Sequence, residues 1–262
     1  MKIQLVAFND KSKWAKRLEM TTEIFNRSSA DLILFSGNTL HNLNDLQLFE
    51  NAITNKHTQA VVEVSNYHKD KSVKLKKALF YVHDGKVDDM FADQMFATAN
   101  DIKNNPSLAQ EFLSELQEKR RITIDGINFT IVRCGEINII ACKQSEENRP
   151  YFWFEDNSEL SSTFNGILSK TDVFLNPVHT PMGNVKKLQQ KKMYLSRSGR
   201  YCFSTNNFGP HDNNNGKTIM TSINSTNIHY AYHNGMEIHP IEEYCDKNDL
   251  YKISTYEISS LK

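Results

Sequence analysis

Cys134, Gly135 and Glu136 close an apolar run, Phe129-Thr-Ile-Val132, and this is where the sequence first offers chemistry. The β-branched and aromatic residues of the run predict a buried strand. Gly135 permits a sharp turn immediately after the cysteine. A thiol on such a turn faces a cleft while the strand behind it holds it still, and once ionised it is a strong nucleophile. Glu136, two residues on, is placed to orient a ligand or a neighbouring side chain. The plain alternative is a small buried cysteine at a strand end.

Composition narrows the field. Lys plus Arg and Asp plus Glu both number 31, so no overall field draws the chain to nucleic acid or to a membrane surface. No apolar run is long enough to span a bilayer, and the first residues lack a basic-then-apolar signal pattern. The four cysteines, Cys134, Cys142, Cys202 and Cys245, form no disulfide framework in a chain of this size and lack zinc-site spacing. A reducing, cytoplasmic compartment is therefore expected. The nine histidines show no metal-binding cluster. His229 and His233 are four apart, but on a strand and turn, where that spacing does not converge. No metal and no cofactor are implied.

The elements that must position the cysteine follow from periodicity. Strands are predicted at 2–8, 30–35, 60–64 and 78–82, the last before an Asp84-Gly85 turn. Helices are predicted at about 11–28 and, with Asn44 as cap, 44–54. A short strand around Met90 follows, then a helix from Pro106 to about Lys119 capped by Asn105. Further strands are expected at 120–126, 129–134, 137–142, 171–177, 200–205, 218–223, 228–232 and 250–258, with a helix marked by Leu160, Phe164, Ile167 and Leu168. Residues 184–198 form a basic helix with Lys186, Lys187, Lys191, Lys192 and Arg197, read as a solvated or interface face. No aromatic interleaving supports a nucleic-acid role for it. With no repeat or linker in view, residues 1–262 read as one domain of α/β class, in layered sheets covered by helices.

Several segments, in order, carry a resemblance. They are the opening strand and long helix, Ala30-Asp-Leu-Ile-Leu-Phe35, Ala78 to Gly85, Val132-Arg-Cys-Gly-Glu136, Thr171 to Pro177 with Val178-His179-Thr180-Pro181, and Ser196 to Asn206. Together they resemble the nitrilase, or carbon–nitrogen hydrolase, superfamily over nearly the whole length. The resemblance implies an α-β-β-α sandwich, two mixed β-sheets flanked by helices, often dimerised. It also implies a small-molecule amide substrate and a cysteine–glutamate–lysine centre. In that chemistry the thiolate attacks an amide or nitrile carbon, the glutamate moves the proton and the lysine stabilises the oxyanion.

By this resemblance Cys134 is the nucleophile. The glutamate, however, falls at Gly37 or Asn38, and the lysine at Asp93 or Gln94. The sequence therefore implies substitutes: Glu63 within Val-Val-Glu-Val, or a residue of the Ser36–Asn38 turn, as base, and Gln94 as oxyanion donor. Lys76 or Lys77 is another source of the missing cation. Asn38, Glu136 and His179 are assigned to substrate contact. Cys142 aligns less well with the nucleophile motif. A long interval between Cys134 and Asp172 suggests an insertion around 143–157 that covers the pocket. The implied activity is that of a divergent amide hydrolase or acyl transferase, and the competing reading is a catalytically degenerate module that binds a metabolite or a protein.

Overall fold

The computed structural model describes residues 1–67, 78–88, 92–179, 184–212, 218–220 and 228–259. The first half of the chain runs β1 (Lys2–Phe8), α1 (Trp14–Arg27), β2 (Leu32–Phe35), α2 (Leu43–Asn51), β3 (Gln59–Val64), β4 (Ala78–His83), β5 (Lys86–Val87), β6 (Ala92–Asp93), α3 (Ala99–Ile102), α4 (Pro106–Glu118), β7 (Arg121–Ile124) and β8 (Ile127–Ile131). A 3₁₀ turn, Cys134–Ile139, leads into β9 (Ile140–Lys143) and β10 (Arg149–Phe152). The second half runs α5 (Ser158–Ser169), β11 (Val173–Val178), α6 (Val185–Leu195), β12 (Tyr201–Asn206), β13 (Pro210–Asp212), β14 (Thr218–Met220), β15 (His229–His233), β16 (Met236–Glu237), β17 (Glu242–Cys245) and β18 (Tyr251–Glu257).

Two sheets carry the architecture. The larger has the order β17-β18-β1-β2-β3-β4-β5, with β6 also on β4, and the smaller has the order β16-β15-β12-β11-β8-β7. Both are mixed. β1, β2 and β3 are parallel in one, β8, β11 and β12 in the other, and the remaining pairs named here are antiparallel. The parallel pairs require crossovers, which α1, α2, α5 and α6 supply.

Alternation along each strand divides its side chains between two layers. Leu32 and Leu34 face the other sheet in a core shared with Leu5, Val61, Ile131 and Leu175. Ile33 and Phe35 face the opposite way, packing with Phe25 of α1 and Phe49 of α2. On the far side of the smaller sheet, Phe174 and Cys202 pack with Phe112 of α4, Phe164 of α5 and Leu195 of α6. The result is an α-β-β-α sandwich. Because both faces of β2 are buried, its four residues read as one apolar run rather than as an alternating strand.

Some local expectations need correction. The cap of α2 is Asn42, whose side chain accepts the Asp45 N–H at 3.0 Å, not Asn44. Residues 137–139 belong to the 3₁₀ turn; only Ile140–Lys143 is extended, and it pairs with β10 in a hairpin. The apolar Ile137, Ile139 and Ile140 resemble a strand because all three are buried. β17 escapes the sequence pattern because its four residues are all exposed, so it has no apolar alternation to read. The strand expected around Met90, and Lys76 and Lys77, lie outside the described residues, as does the second half, 221–223, of the strand expected at 218–223.

Candidate active site

The strand ends β1, β2, β8, β11 and β12 converge on one edge of the sandwich. Direct backbone bonds sew the two sheets together there. Gly37 N–H donates to the Val178 carbonyl at 3.0 Å, Phe208 N–H to Phe8 at 3.0 Å and Asn207 N–H to His179 at 3.2 Å. The Asn207 amide donates to the Gly37 carbonyl at 2.7 Å and accepts from the Ser36 hydroxyl at 2.5 Å.

The cysteine turn is built from the backbone upward. Cys134 itself takes the positive φ, +29°, a strained setting for a side chain with a Cβ. Gly135 is needed for a different reason than turn flexibility. A Cβ there would lie 2.0 Å from the Ala97 carbonyl oxygen, so the chain can pass only as glycine. The amide of Asn138 donates to the same carbonyl at 3.1 Å. Asn176 of β11 donates to the Val132 carbonyl at 2.6 Å and reaches the Cys134 carbonyl at 3.5 Å.

Glu136 is a fully buried brace for this turn. Its carboxylate accepts the Arg133 N–H at 2.9 Å and the Met95 N–H at 2.8 Å, and it pairs with the buried Arg120 guanidinium. It does not line the cavity described below, so its assignment to substrate contact is replaced by this one. Gln94 also lies in the scaffold. It is buried, its amide donates to the Phe96 carbonyl at 3.0 Å, and it is not among the cavity-lining residues. The segment 92–97, where the resemblance places a lysine, instead gives the turn its carbonyls: Ala92 to Arg133 at 2.8 Å, Asp93 to Arg120 at 2.5 Å, and Ala97. Asn38 is held in the left-handed region, φ +59°, by Arg17 on its carbonyl at 2.7 Å and Ser65 on its side chain at 2.8 Å. It contributes its N–H, 2.8 Å from Glu63, rather than a cavity wall.

Glu63 sits on the inner face of β3, in register with Val61, so it points from the larger sheet toward the smaller one. Arg133 meets it at 2.7 Å, with both side chains fully buried. His179, just past the end of β11, places Nε2 at 2.6 and 2.8 Å from the two Glu63 oxygens. With Nε2 engaged there, Nδ1 is the ring nitrogen left over, and His179 acts on the neighbouring Cys134 thiol through its charge and hydrogen bonding.

The electrostatics follow from this contact. Burial alone would push the Cys134 thiol up, but the charge and hydrogen bonds of His179 outweigh it and hold the thiol below its ordinary value. Burial alone would likewise pull His179 down. Glu63 first and Cys134 second reverse that, lifting it to about 9. The two shifts run in the direction that favours a thiolate beside an imidazolium.

His179 also explains the glycine found where the resemblance expects a glutamate. A Cβ on Gly37 would fall 2.3 Å from His179 Cδ2 and 2.8 Å from its backbone nitrogen. The volume beside residue 37 is filled by an imidazole from the other sheet. Neither the pairing of His179 with Cys134 nor the role of Gly37 follows from sequence position, since Glu63 and His179 are 116 residues apart.

Cys134 opens on a cavity of about 440 Å³. Trp153 and Ala141 line it, so the β9–β10 hairpin and the residue that follows form one wall. The surprise is α6. Leu188, Lys191, Lys192 and Leu195 fall three or four residues apart on one helical stripe, and that stripe faces inward. Lys191 and Lys192 are 6% and 2% exposed and line the cavity with Lys187. The solvated face expected of this helix is corrected accordingly; the signal was the Leu188 and Leu195 spacing, which marks both lysines as inward. Lys192 sits with its ammonium 3.5 Å above the Tyr230 ring. Burial pulls it down to about 7, opposed by the charges of Cys202 and Cys134.

Among the described residues no cluster of His, Cys, Asp and Glu is arranged to hold a metal, and no helix is long and apolar enough to cross a membrane.

No family model matches the sequence, and no curated protein matches it. Solved structures do match, across almost the whole fold. A carbon–nitrogen hydrolase from Helicobacter pylori G27 superposes with a TM-score of 0.58 at 8% identity, covering 97% of this chain and 88% of that one. A mutant amidase from Nesterenkonia sp. AN1, with the acetamide moiety of fluoroacetamide added covalently at its active-site cysteine, gives 0.57 at 9% identity, covering 98% and 90%. A cysteine-to-alanine mutant of the same amidase in complex with butyramide gives 0.56 at 8% identity, covering 98% and 90%. At these identities the likeness establishes the shared fold, the nitrilase-like sandwich.

Proposed function

We propose that this chain is a thiol-dependent hydrolase or acyl transferase acting on an amide C–N bond, with Cys134 as nucleophile, His179 as proton carrier and Glu63 as the carboxylate that orients and charges the imidazole. The observation that carries the reading is the placement of His179, with Nε2 2.6 Å from Glu63 and its charge acting on the neighbouring Cys134 thiol. It supplies what the missing glutamate would have supplied, from a different strand. The neighbouring structures' cysteine chemistry on amides agrees with it.

The steps follow from the groups present. The Cys134 thiolate attacks the carbonyl carbon, and the carbonyl π electrons move to oxygen. Lys192, whose ammonium shares the cavity and feels the Cys134 charge, faces the developing oxyanion. The tetrahedral species collapses as the His179 imidazolium protonates the leaving nitrogen, which releases an amine or ammonia and leaves a thioester on Cys134. His179, now neutral, takes a proton from water or another acceptor nucleophile as it attacks the thioester. Cys134 then departs as a thiolate beside a restored imidazolium. Such proton transfer is worth roughly 10²–10⁴ in rate.

The pH dependence of alkylation at each cysteine, followed by peptide mass spectrometry, tests this. Cys134 is expected to react at a pH well below the onset for Cys245, whose thiol burial pushes up. His179→Ala should erase that advantage. Equal profiles for the two cysteines in the unaltered protein would sink the reading and leave the fold as a binding module.

A further inference from the structure

The charge of the cavity is not inherited from the chain, whose acidic and basic residues balance at 31 each. Three lysines, Lys187, Lys191 and Lys192, line the cavity, and no aspartate or glutamate lines it among the described residues. Lys191 and Lys192 are held in place rather than waving over it. Lys191 Nζ donates to Asn138 Oδ1 at 2.6 Å, and the Asn138 carbonyl is gripped by the Trp153 indole at 2.8 Å. Asn138 is a neutral acceptor, so the Lys191 charge is buried on a dipole. Burial pulls Lys191 down to about 8, and Lys187, one turn away, pushes the same way.

Burying the Lys191 cation on a neutral acceptor, with no carboxylate beside it, is costly. An incoming anion removes that cost, and the lysines distinguish it from a neutral molecule of equal size. The remaining wall, with Ile137, Ala141, Trp153 and Leu188, is apolar and suits a short hydrocarbon spacer. We propose that the substrate is a small amide that also bears a carboxylate, the carboxylate held by Lys191 and Lys187 and the scissile carbonyl presented to Cys134. This rests on the nucleophile reading above for the identity of the scissile group, but the anion site stands on the lysines alone.

The test pairs binding with turnover. Calorimetric titration of Cys134→Ala with succinamate, the monoamide of succinate, is compared with the neutral diamide succinamide. Succinamate should bind roughly tenfold or more tightly, a single well-placed charge pair being enough for that ratio. The preference should shrink at high salt and collapse in a Lys191→Met background, where an unbranched apolar chain keeps the packing. Lys187→Gln, at a half-buried position, should weaken it less and in the same direction. Equal affinity for the two ligands, or binding of neither, overturns the proposal. If the unaltered protein cleaves neutral amides as fast as succinamate, the hydrolase reading stands and this inference falls. If Cys134→Ala selects succinamate but the unaltered protein never turns it over, the anion pocket stands and the amide cleavage falls.

Discussion

His179 and His229 are carried by the same six-stranded sheet, and burial acts against the charged form of each, yet they end at opposite extremes. His179 lies against the Glu63 carboxylate and the Cys134 thiol and is lifted to about 9. His229, at the start of β15, has the Thr205 hydroxyl 3.0 Å from Nδ1 and the positive charge of Lys252 nearby; burial takes it down to about 3. The difference lies in what the opposite sheet brings. At the β3 end it delivers a carboxylate; at the β18 side it delivers only Lys252, whose backbone hydrogen bond raises the imidazole and whose charge lowers it, so burial prevails. A buried imidazole becomes a proton carrier only where a counter-charge is built in beside it.

Removing that counter-charge should make His179 resemble His229. Glu63→Gln keeps the shape and deletes the charge. The His179 titration, followed by NMR, should fall from near 9 to below its ordinary value, and turnover should drop on the order of 10³–10⁴-fold, the scale seen when a triad loses its carboxylate. Urea unfolding should also register a loss of about 3–5 kcal/mol, because Arg133 then loses the carboxylate 2.7 Å away. A His179 that still titrates near 9 in this variant would break the comparison.

Position rather than charge is altered by Gly37→Ala. The added Cβ meets the imidazole edge, so the ring must shift while Glu63 and Cys134 remain. Turnover should fall on the order of 10²-fold, with a stability loss of about 1–3 kcal/mol. Kinetics and unfolding on the same preparation check both, and an unimpaired rate would show that the ring's placement does not matter.

The smallest effect is expected at the other histidine. His229 stays neutral in the folded protein, whereas the unfolded chain takes a proton there below about 6.5. Its contribution to stability is therefore full above that pH and declines as the pH falls toward 3. His229→Gln should flatten this acid limb in thermal melts between pH 4 and 7 and leave turnover at neutral pH unaltered. An acid limb as steep as that of the unaltered protein would remove His229 from the explanation.

Local pattern was enough for the sandwich. Strand runs such as Leu32–Phe35, helix periodicity in α1 and α4, and the Asn105-Pro106 cap are short-range signals, and the order of strand and helix implies the layers. It also sufficed for Cys134 at a strand end. The sequence by itself could list Glu63 and His179 as polar residues near strand ends, but it gave them separate tasks. Their union depends on two sheets meeting edge to edge, with the Gly37 N–H on the Val178 carbonyl bringing the β2 turn against the β11 end. Gln94 and Glu136 looked available for chemistry because sequence shows residue type and not partners; the fold commits one to a backbone carbonyl and the other to Arg120 and two amides. Lys191 and Lys192 looked solvated because lysine usually is. The Leu188 and Leu195 spacing marks their face as inward, but only the tertiary structure gives them partners there, Asn138 for Lys191 and the Tyr230 ring for Lys192, because those groups come from distant segments of the chain.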